Sequence, residues 1–314
     1  MTQSCIRSVR QWRVPPGARV LLVLAAAFLL CGAHSRKVKR GRPEPPRIQP
    51  SAAIEARVSE EIAKSDNTLA NLDGDRLFDS PYVASAVYYH EGFLSTFPEE
   101  KEDADPARRI ISHAVRVMTP QLKAKYLELL RRRYADQLAK TAGSGYYLPV
   151  SWEPPSTPAA PARGRKKKRR KRRVRQNHPH AIDLFVPEGS PVRSASKGVV
   201  ILAESGWNMA DPLSTSSRMG GNTVIVVDPE GRKMFRYCHL ESVLVSAGEV
   251  VRGGQPIGAV GHTGVNASLP KHGGHLHFEV NDYDTGTVQA LDHRELIAFL
   301  RRAAPADPSA SATG

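Results

Sequence analysis

Two histidines at a spacing of two, His275 and His277, are the strongest chemical signal in this 314-residue chain. They lie in the segment Gly273-Gly274-His275-Leu276-His277-Phe278-Glu279, which we interpret as part of a β-strand. Side chains two residues apart in a strand point to the same face, so both imidazoles would face one site. Neutral imidazole is the commonest transition-metal ligand, and a catalytic zinc takes three protein ligands and keeps one open position. The spacing therefore predicts part of a metal centre, whose other ligands must come from elsewhere.

Candidate partners lie upstream of this pair. His180 and Asp183 precede the apolar run 184–186, and His239 ends the strand-like segment Arg236-Tyr237-Cys238-His239. A histidine and a carboxylate near the start of a strand can converge on one metal ion. These candidate metal-binding residues span about a hundred positions. They lie among short β-branched runs separated by Gly or Pro turns, and this arrangement of runs and turns is typical of an all-β domain.

Five sequence motifs follow one another in the second half of the chain. They are the His and Asp of residues 180–183, Gly221-Asn222-Thr223-Val224, Tyr237-Cys238-His239-Leu240, the glycine-rich stretch 248–264 and His275-Leu276-His277-Phe278-Glu279. In this order they make the segment from about residue 177 to 302 resemble the M23 peptidoglycan metalloendopeptidases, the family with the lysostaphin or LytM-like fold. A motif match is a hypothesis that its structural context must support.

The resemblance implies a zinc ion held by His180, Asp183 and His277. It also implies that His239 and His275 do not bind the metal and act as catalytic groups. One would take the proton of the attacking water or give a proton to the leaving amine, and the other would stabilise the oxyanion. Asn222 and Tyr237 are implied to support the substrate groove. The implied substrate is a peptide bond in the stem or cross-link peptides of peptidoglycan.

The first ligand position departs from the family pattern. The family places a histidine four residues before the aspartate, where this chain has Pro179. His180 lies three residues before Asp183 and His178 lies five before it; we favour His180, with His178 as the alternative. The departure also keeps a rival function open, a non-catalytic LytM-like module that binds the wall or activates an amidase.

The N-terminus has the pattern of an export signal. Basic residues precede an eleven-residue apolar stretch, Val20 to Leu30, which is too short to span a bilayer comfortably. We predict a signal peptide over residues 1–33 and an exported protein of the periplasm, envelope or medium. An uncleaved anchor and a lipoprotein cut before Cys31 are the alternatives.

Composition divides the rest of the chain, and we predict an α+β protein. Residues 34–50 form a proline-rich basic spacer, and 51–142 a small helical region with helices over Ile54 to Leu72, Val83 to Phe97 and from Pro120 onward. Residues 143–176 form a proline-rich and polybasic linker with the character of disorder. The domain that resembles the M23 family covers 177–303, mainly antiparallel β with a zinc groove, a loop from Trp207 to Gly221 and a closing helix after Asp292. A disordered tail follows over 304–314.

The net charge of +14 comes mainly from one segment, because residues 163–175 hold eleven Lys or Arg and no acid. Such a run is solvated and self-repelling. Anionic lipid, lipopolysaccharide or wall polymer are the expected partners of a basic run on an exported protein, with a plain solvated tether as the alternative. We expect no nucleic-acid partner, since the run has no interleaved aromatic residues.

Overall fold

The computed structural model describes residues 51–89, 91–96, 105–141, 145–152, 179–270 and 272–305. The predicted signal peptide, the spacer, the basic run, His178 and most of the tail lie outside these residues. None of the helices in the described ranges has the length and apolarity needed to cross a membrane.

The described part of the helical region contains four α-helices and one 3-10 helix. They are α1 (Ala52–Ala70), α2 (Pro81–Tyr88), the 3-10 helix Glu91–Thr96, α3 (Pro106–Val117) and α4 (Pro120–Lys140). Each α-helix begins after a Ser, Asp or Thr whose side-chain oxygen accepts a backbone N–H of the first turn, and three of them have Pro at the first position. The predicted helix from Val83 to Phe97 is therefore two shorter helices, and α3 is one that the prediction missed.

In the second half of the chain, the residues that the structure describes form ten strands in two sheets. They are β1 (Ile182–Leu184), β2 (Pro191–Arg193), β3 (Gly198–Glu204), β4 (Thr223–Asp228), β5 (Lys233–Cys238), β6 (Leu240–Val243), β7 (Val250–Val251), β8 (Pro256–Val260), β9 (Leu276–Asp284) and β10 (Thr287–Ala290). The large sheet has the order β1-β9-β5-β4-β3-β7, with β10 also paired to β9, and the small sheet has the order β2-β8-β6. Every strand pairing in the described ranges is antiparallel, as predicted.

The large sheet separates two hydrophobic cores. On one face the helices pack against Ile201, Ile225 and Met234. On the other face Val226, Phe235 and Phe278 pack against the small sheet and the closing helix α5 (His293–Arg302). Alternate residues of the central strands therefore face different cores, which is why these strands read as continuous apolar runs. The architecture is α+β, with helices preceding a mainly antiparallel β domain.

Candidate metal and catalytic site

Strand β9 and the residue before it put a row of polar side chains on the helical side of the large sheet. His275, His277 and Glu279 alternate with Leu276, Phe278 and Val280, which lie in the core on the opposite side. The register pairs His277 with Asp183 of β1 on one flank and with Cys238 of β5 on the other. Sheet pairing therefore brings together residues that are more than ninety positions apart in the sequence.

His277 uses both ring nitrogens. Its Nδ1 lies 2.8 Å from Asp183 Oδ1, and its Nε2 lies 2.9 Å from Glu279 Oε1. Burial disfavours protonation of this imidazole, but the hydrogen bonds to the two carboxylates outweigh burial and raise its pKa to about 9. The contact with Asp183 is a hydrogen bond in this structure; by ligand type, an aspartate oxygen and an imidazole whose second nitrogen is on a carboxylate are a donor set that suits zinc.

His239 and His275 flank this pair, and the backbone sets the tautomer of each. His239 Nδ1 lies 2.7 Å from the Thr263 carbonyl, and His275 Nδ1 lies 3.0 Å from the Gly273 carbonyl. A carbonyl can only accept, so Nδ1 carries the proton in both rings and Nε2 is the basic nitrogen. The two ring centroids are 4.8 Å apart, and His275 Nε2 lies 4.0 Å from Asp183 Oδ1. Burial, followed by the neighbouring His277 and His275, lowers the pKa of His239 to about 3.

His239 reaches the site through an unusual backbone conformation. Its φ of 66° lies in the left-handed region, which ends β5 at Cys238 and breaks the alternation of side chains. Strand alternation alone predicts that Tyr237 and His239 share a face, and this is wrong. Tyr237 instead lies fully buried in the core on the opposite side, where its hydroxyl accepts the Ala195 N–H at 2.7 Å. Its predicted place in the substrate groove is corrected accordingly.

His180 lies at the surface, two residues before β1. The residue is exposed in the turn before β1, where the His293 N–H at the start of α5 donates to the neighbouring Pro179 carbonyl. Within the described ranges no three His, Cys, Asp or Glu side chains are gathered closely enough to hold a metal ion. Asp183 and His277 are thus the two candidate ligands that the fold brings together.

Asn222 is a buried anchor for the loop that borders the site. Its Oδ1 accepts the Trp207 N–H at 2.9 Å, and its Nδ2 donates to the Leu240 carbonyl at 3.0 Å. The residue thus ties the start of the loop 207–221 to the start of β6. At the mouth of the site Phe185 is 66% exposed, with its ring 5.2 Å from that of His275.

Three further residues near the site, Glu279, Arg236 and Tyr88, were not among the predicted site residues. Arg236 Nη1 donates to Glu279 Oε1 at 3.1 Å, and the Tyr88 hydroxyl donates to Glu279 Oε2 at 3.0 Å. Glu279 could have been found by extending the two-residue period of His275 and His277 by one step. Nothing in the sequence signals Tyr88, which lies 191 residues before Glu279 in the helical region.

Comparison with known proteins gives one family and a set of partial relatives. Residues 177–290 match the profile of Peptidase family M23. Lysostaphin of Staphylococcus simulans is 32% identical over 112 residues, which cover 35% of this chain and 20% of lysostaphin. Glycyl-glycine endopeptidase ALE-1 of Staphylococcus capitis is 31% identical over 139 residues, covering 44% of this chain and 33% of that protein. The peptidoglycan DD-endopeptidase ShyA of Vibrio cholerae is 32% identical over 103 residues, 32% of this chain and 20% of ShyA.

Two solved structures also align with part of this chain. The catalytic domain of lysostaphin from Staphylococcus simulans aligns at 23% identity with a TM-score of 0.30, over 52% of this chain and 97% of that domain. A zinc-containing peptidase from Vibrio cholerae aligns at 31% identity with a TM-score of 0.26, over 35% of this chain and 28% of that one. This chain spans about a fifth to a third of the length of the curated relatives given above.

Proposed function

We propose that this protein is a zinc-dependent endopeptidase that hydrolyses peptide bonds in the stem or cross-link peptides of peptidoglycan, because residues 177–290 match the profile of Peptidase family M23. The observation that carries the proposal is the convergence of Asp183, His239, His275 and His277 on one side of the sheet. Two relatives named as a glycyl-glycine endopeptidase and a peptidoglycan DD-endopeptidase support the substrate class.

In this proposal Asp183 and His277 hold the zinc together with a third ligand from the segment before β1, His180 in our preferred assignment. When bound, zinc supplies a Lewis acid that polarises the scissile carbonyl and makes water a nucleophile at neutral pH. Asp183 contributes the charge that favours the cation, and Glu279 holds Nε2 of His277 so that Nδ1 points toward Asp183.

His239 and His275 are the proposed catalytic pair. Both present a basic Nε2, because a backbone carbonyl fixes the proton on Nδ1 of each ring. One imidazole would accept the proton of the attacking water and pass a proton to the leaving amine, while the other would stabilise the developing oxyanion. Burial of both rings holds them in place and excludes bulk water from the reacting groups.

We further propose export to the cell envelope or medium, where peptidoglycan is accessible. The basic run 163–175 would then contact anionic lipid, lipopolysaccharide or wall polymer by surface attraction. Both statements concern residues outside the described ranges and are based on the sequence.

The second candidate function is a non-catalytic module that binds the wall or activates an amidase. The exposed position of His180 favours it, since the described residues contain no group of three His, Cys, Asp or Glu side chains that could hold a metal ion. The two functions differ in a simple measurement, because a binding module needs neither zinc nor turnover.

Zinc content and dye release from labelled sacculi test the proposal together. His277→Ala should lose both zinc and hydrolysis, whereas His239→Ala and His275→Ala should keep zinc and lose hydrolysis. His113→Ala is a matched control, because His113 lies in α3 and contacts Asp66 instead of the site. Full zinc occupancy in His277→Ala would refute the ligand assignment, and a zinc-free wild-type protein that binds sacculi without cleaving them would favour the second candidate.

A further inference from the structure

The carboxylate of Glu279 is fully engaged by three donors. Oε1 accepts from His277 Nε2 at 2.9 Å and from Arg236 Nη1 at 3.1 Å, while Oε2 accepts from the Tyr88 hydroxyl at 3.0 Å. Arg236 and Glu279 are themselves largely buried, with side-chain exposures of 8% and 16%. A carboxylate with both oxygens bonded in a low-dielectric setting has one stable orientation.

The orientation of Glu279 decides which nitrogen His277 offers to a cation. An imidazole that donates one N–H to a carboxylate has its other nitrogen fixed in position and in tautomer. With Nε2 on Glu279, Nδ1 faces Asp183. If the Glu279 side chain rotated away, His277 Nε2 would lose its carboxylate partner. The His277 ring would then no longer be fixed with Nδ1 toward Asp183.

Tyr88 is buried and is hydrogen-bonded to β9 at two points. It ends α2, is 1% exposed, and its backbone carbonyl accepts Asn281 Nδ2 at 2.8 Å. Asn281 lies two residues beyond Glu279 in β9. Tyr88, at the end of α2, therefore contacts β9 through both its side-chain hydroxyl and its backbone carbonyl. The Arg236 guanidinium also lies 6.0 Å from the centre of the Tyr88 ring, within the range of a cation–π contact.

We infer that Tyr88 is a positioning residue for the metal centre, acting through Glu279 on His277, so that the helical region is part of the metal-binding unit. The inference rests on the proposed function, because it assumes that His277 binds the metal. It assigns a role to the helices, in which no catalytic motif is visible. Outer carboxylate partners of metal-bound histidines typically change metal affinity by about 10- to 100-fold.

A double-mutant cycle on the full chain tests the inference with zinc affinity as the readout. Tyr88→Phe removes only the hydroxyl, and Glu279→Gln keeps the size of the side chain. Competition with a chromophoric chelator gives the zinc dissociation constant, and the visible spectrum of the Co²⁺ form reports ligand geometry. We expect Tyr88→Phe to weaken zinc binding by about 10-fold and to alter the Co²⁺ spectrum. In the Glu279→Gln background the same change should have no further effect, because the two residues act in series.

Tyr126→Phe is the matched control. Tyr126 is also a fully buried tyrosine of the helical region, and its hydroxyl donates to the Leu77 carbonyl at 2.8 Å, away from the sheet residues of the site. It should lower thermal stability and leave zinc affinity unchanged. Equal zinc affinity and Co²⁺ spectra in wild type and Tyr88→Phe, or additive effects in the cycle, would overturn the inference while leaving the proposed function intact. A wild-type protein that binds no zinc would refute both.

Discussion

At the scale of single residues, the site depends on contacts that strand periodicity predicts only in part. The two-residue period places His275 and His277 together, and sheet register adds Asp183. His239 could not be placed this way, because its positive φ is a local feature of the turn into Leu240 and is invisible in the residue pattern. The same conformation explains why Tyr237, its neighbour, belongs to the core.

The first metal ligand is the residue-scale prediction with two alternatives. If His180 is the ligand, its side chain binds zinc from the exposed turn before β1. His180→Ala should then lower zinc affinity by more than the roughly 10- to 100-fold of an outer partner, and His178→Ala should leave it near the wild-type value. Isothermal titration with zinc measures both, and the reverse order would identify His178 as the ligand.

Glu204 gives a pH prediction that does not involve the metal ligands. Its carboxylate accepts from Ser216 N–H at 2.6 Å and Ser216 Oγ at 2.8 Å, but burial outweighs these bonds and the nearby Arg236 charge and raises its pKa to about 7. The folded state therefore holds this proton at pH values where the unfolded state has lost it. The associated stability is fully present below the unfolded value of 4.5 and is lost as the pH rises through about 7.

Chemical denaturation across this range measures the effect. Between about pH 5 and 8 the free energy of unfolding of wild type should fall relative to Glu204→Gln, by up to about 3 kcal/mol. The exposed Glu60→Gln variant should follow wild type throughout. Parallel curves for wild type and Glu204→Gln would show that Glu204 stays ionised in the folded protein.

At the scale of elements, strong hydrophobic periodicity was sufficient to predict the long helices and the central strands from the sequence. The Thr119-Pro120 start of α4 and the helix capped by Asp292 were predicted, because a side-chain cap and a proline leave a clear local pattern. Short edge strands such as β2 and β7 have only two or three residues, too few to show a period.

The loop 207–221 supplies the element-scale prediction through Asn222. Asn222→Ala leaves the Trp207 N–H without its acceptor and removes one of the two donors to the Leu240 carbonyl, which keeps Thr263 Oγ1 at 2.9 Å, so we expect a loss of about 1–3 kcal/mol in the free energy of unfolding. Because the loop borders the site, KM for peptidoglycan peptides should rise more than kcat falls. Asn208→Ala is the control in the same loop: Asn208 is exposed and its Oδ1 accepts only a local bond, from the Ala210 N–H at 2.9 Å, so its effect should stay below about 1 kcal/mol. Equal effects of the two substitutions would refute the anchoring role.

At the scale of the whole molecule, the helical region and the β domain share a core. Side chains of α2 and α4 pack with those of β3, β4 and β5, and Ser85 of α2 bonds Ser216 of the loop at 3.1 Å. The sequence patterns predicted where helices lie along the chain. They did not predict which face of the large sheet the helices cover, because contacts between distant segments leave no local period. The helices are therefore structurally continuous with the face of the sheet that carries His277.

The basic run gives a prediction about retention on surfaces. Replacing Lys166 to Arg173 with Ser and Gly should weaken retention on sacculi or anionic vesicles, most at low salt, because salt screens surface charge over about 8 Å at physiological ionic strength. Co-sedimentation across a salt series measures the effect. Cleavage of a small soluble peptide is the control and should be unchanged; a collapse of that rate would show that the run belongs to the active fold.

Mass spectrometry of the muropeptides released from purified sacculi tests the proposed hydrolysis most directly. The zinc-loaded wild-type protein should yield products with one new amine and one new carboxyl terminus in a stem or cross-link peptide, and intact glycan bonds. Zinc-loaded His275→Ala should yield none of these products. Uncut peptides with the zinc-loaded wild type, or the same products from His275→Ala at the wild-type rate, would contradict the proposed catalytic site.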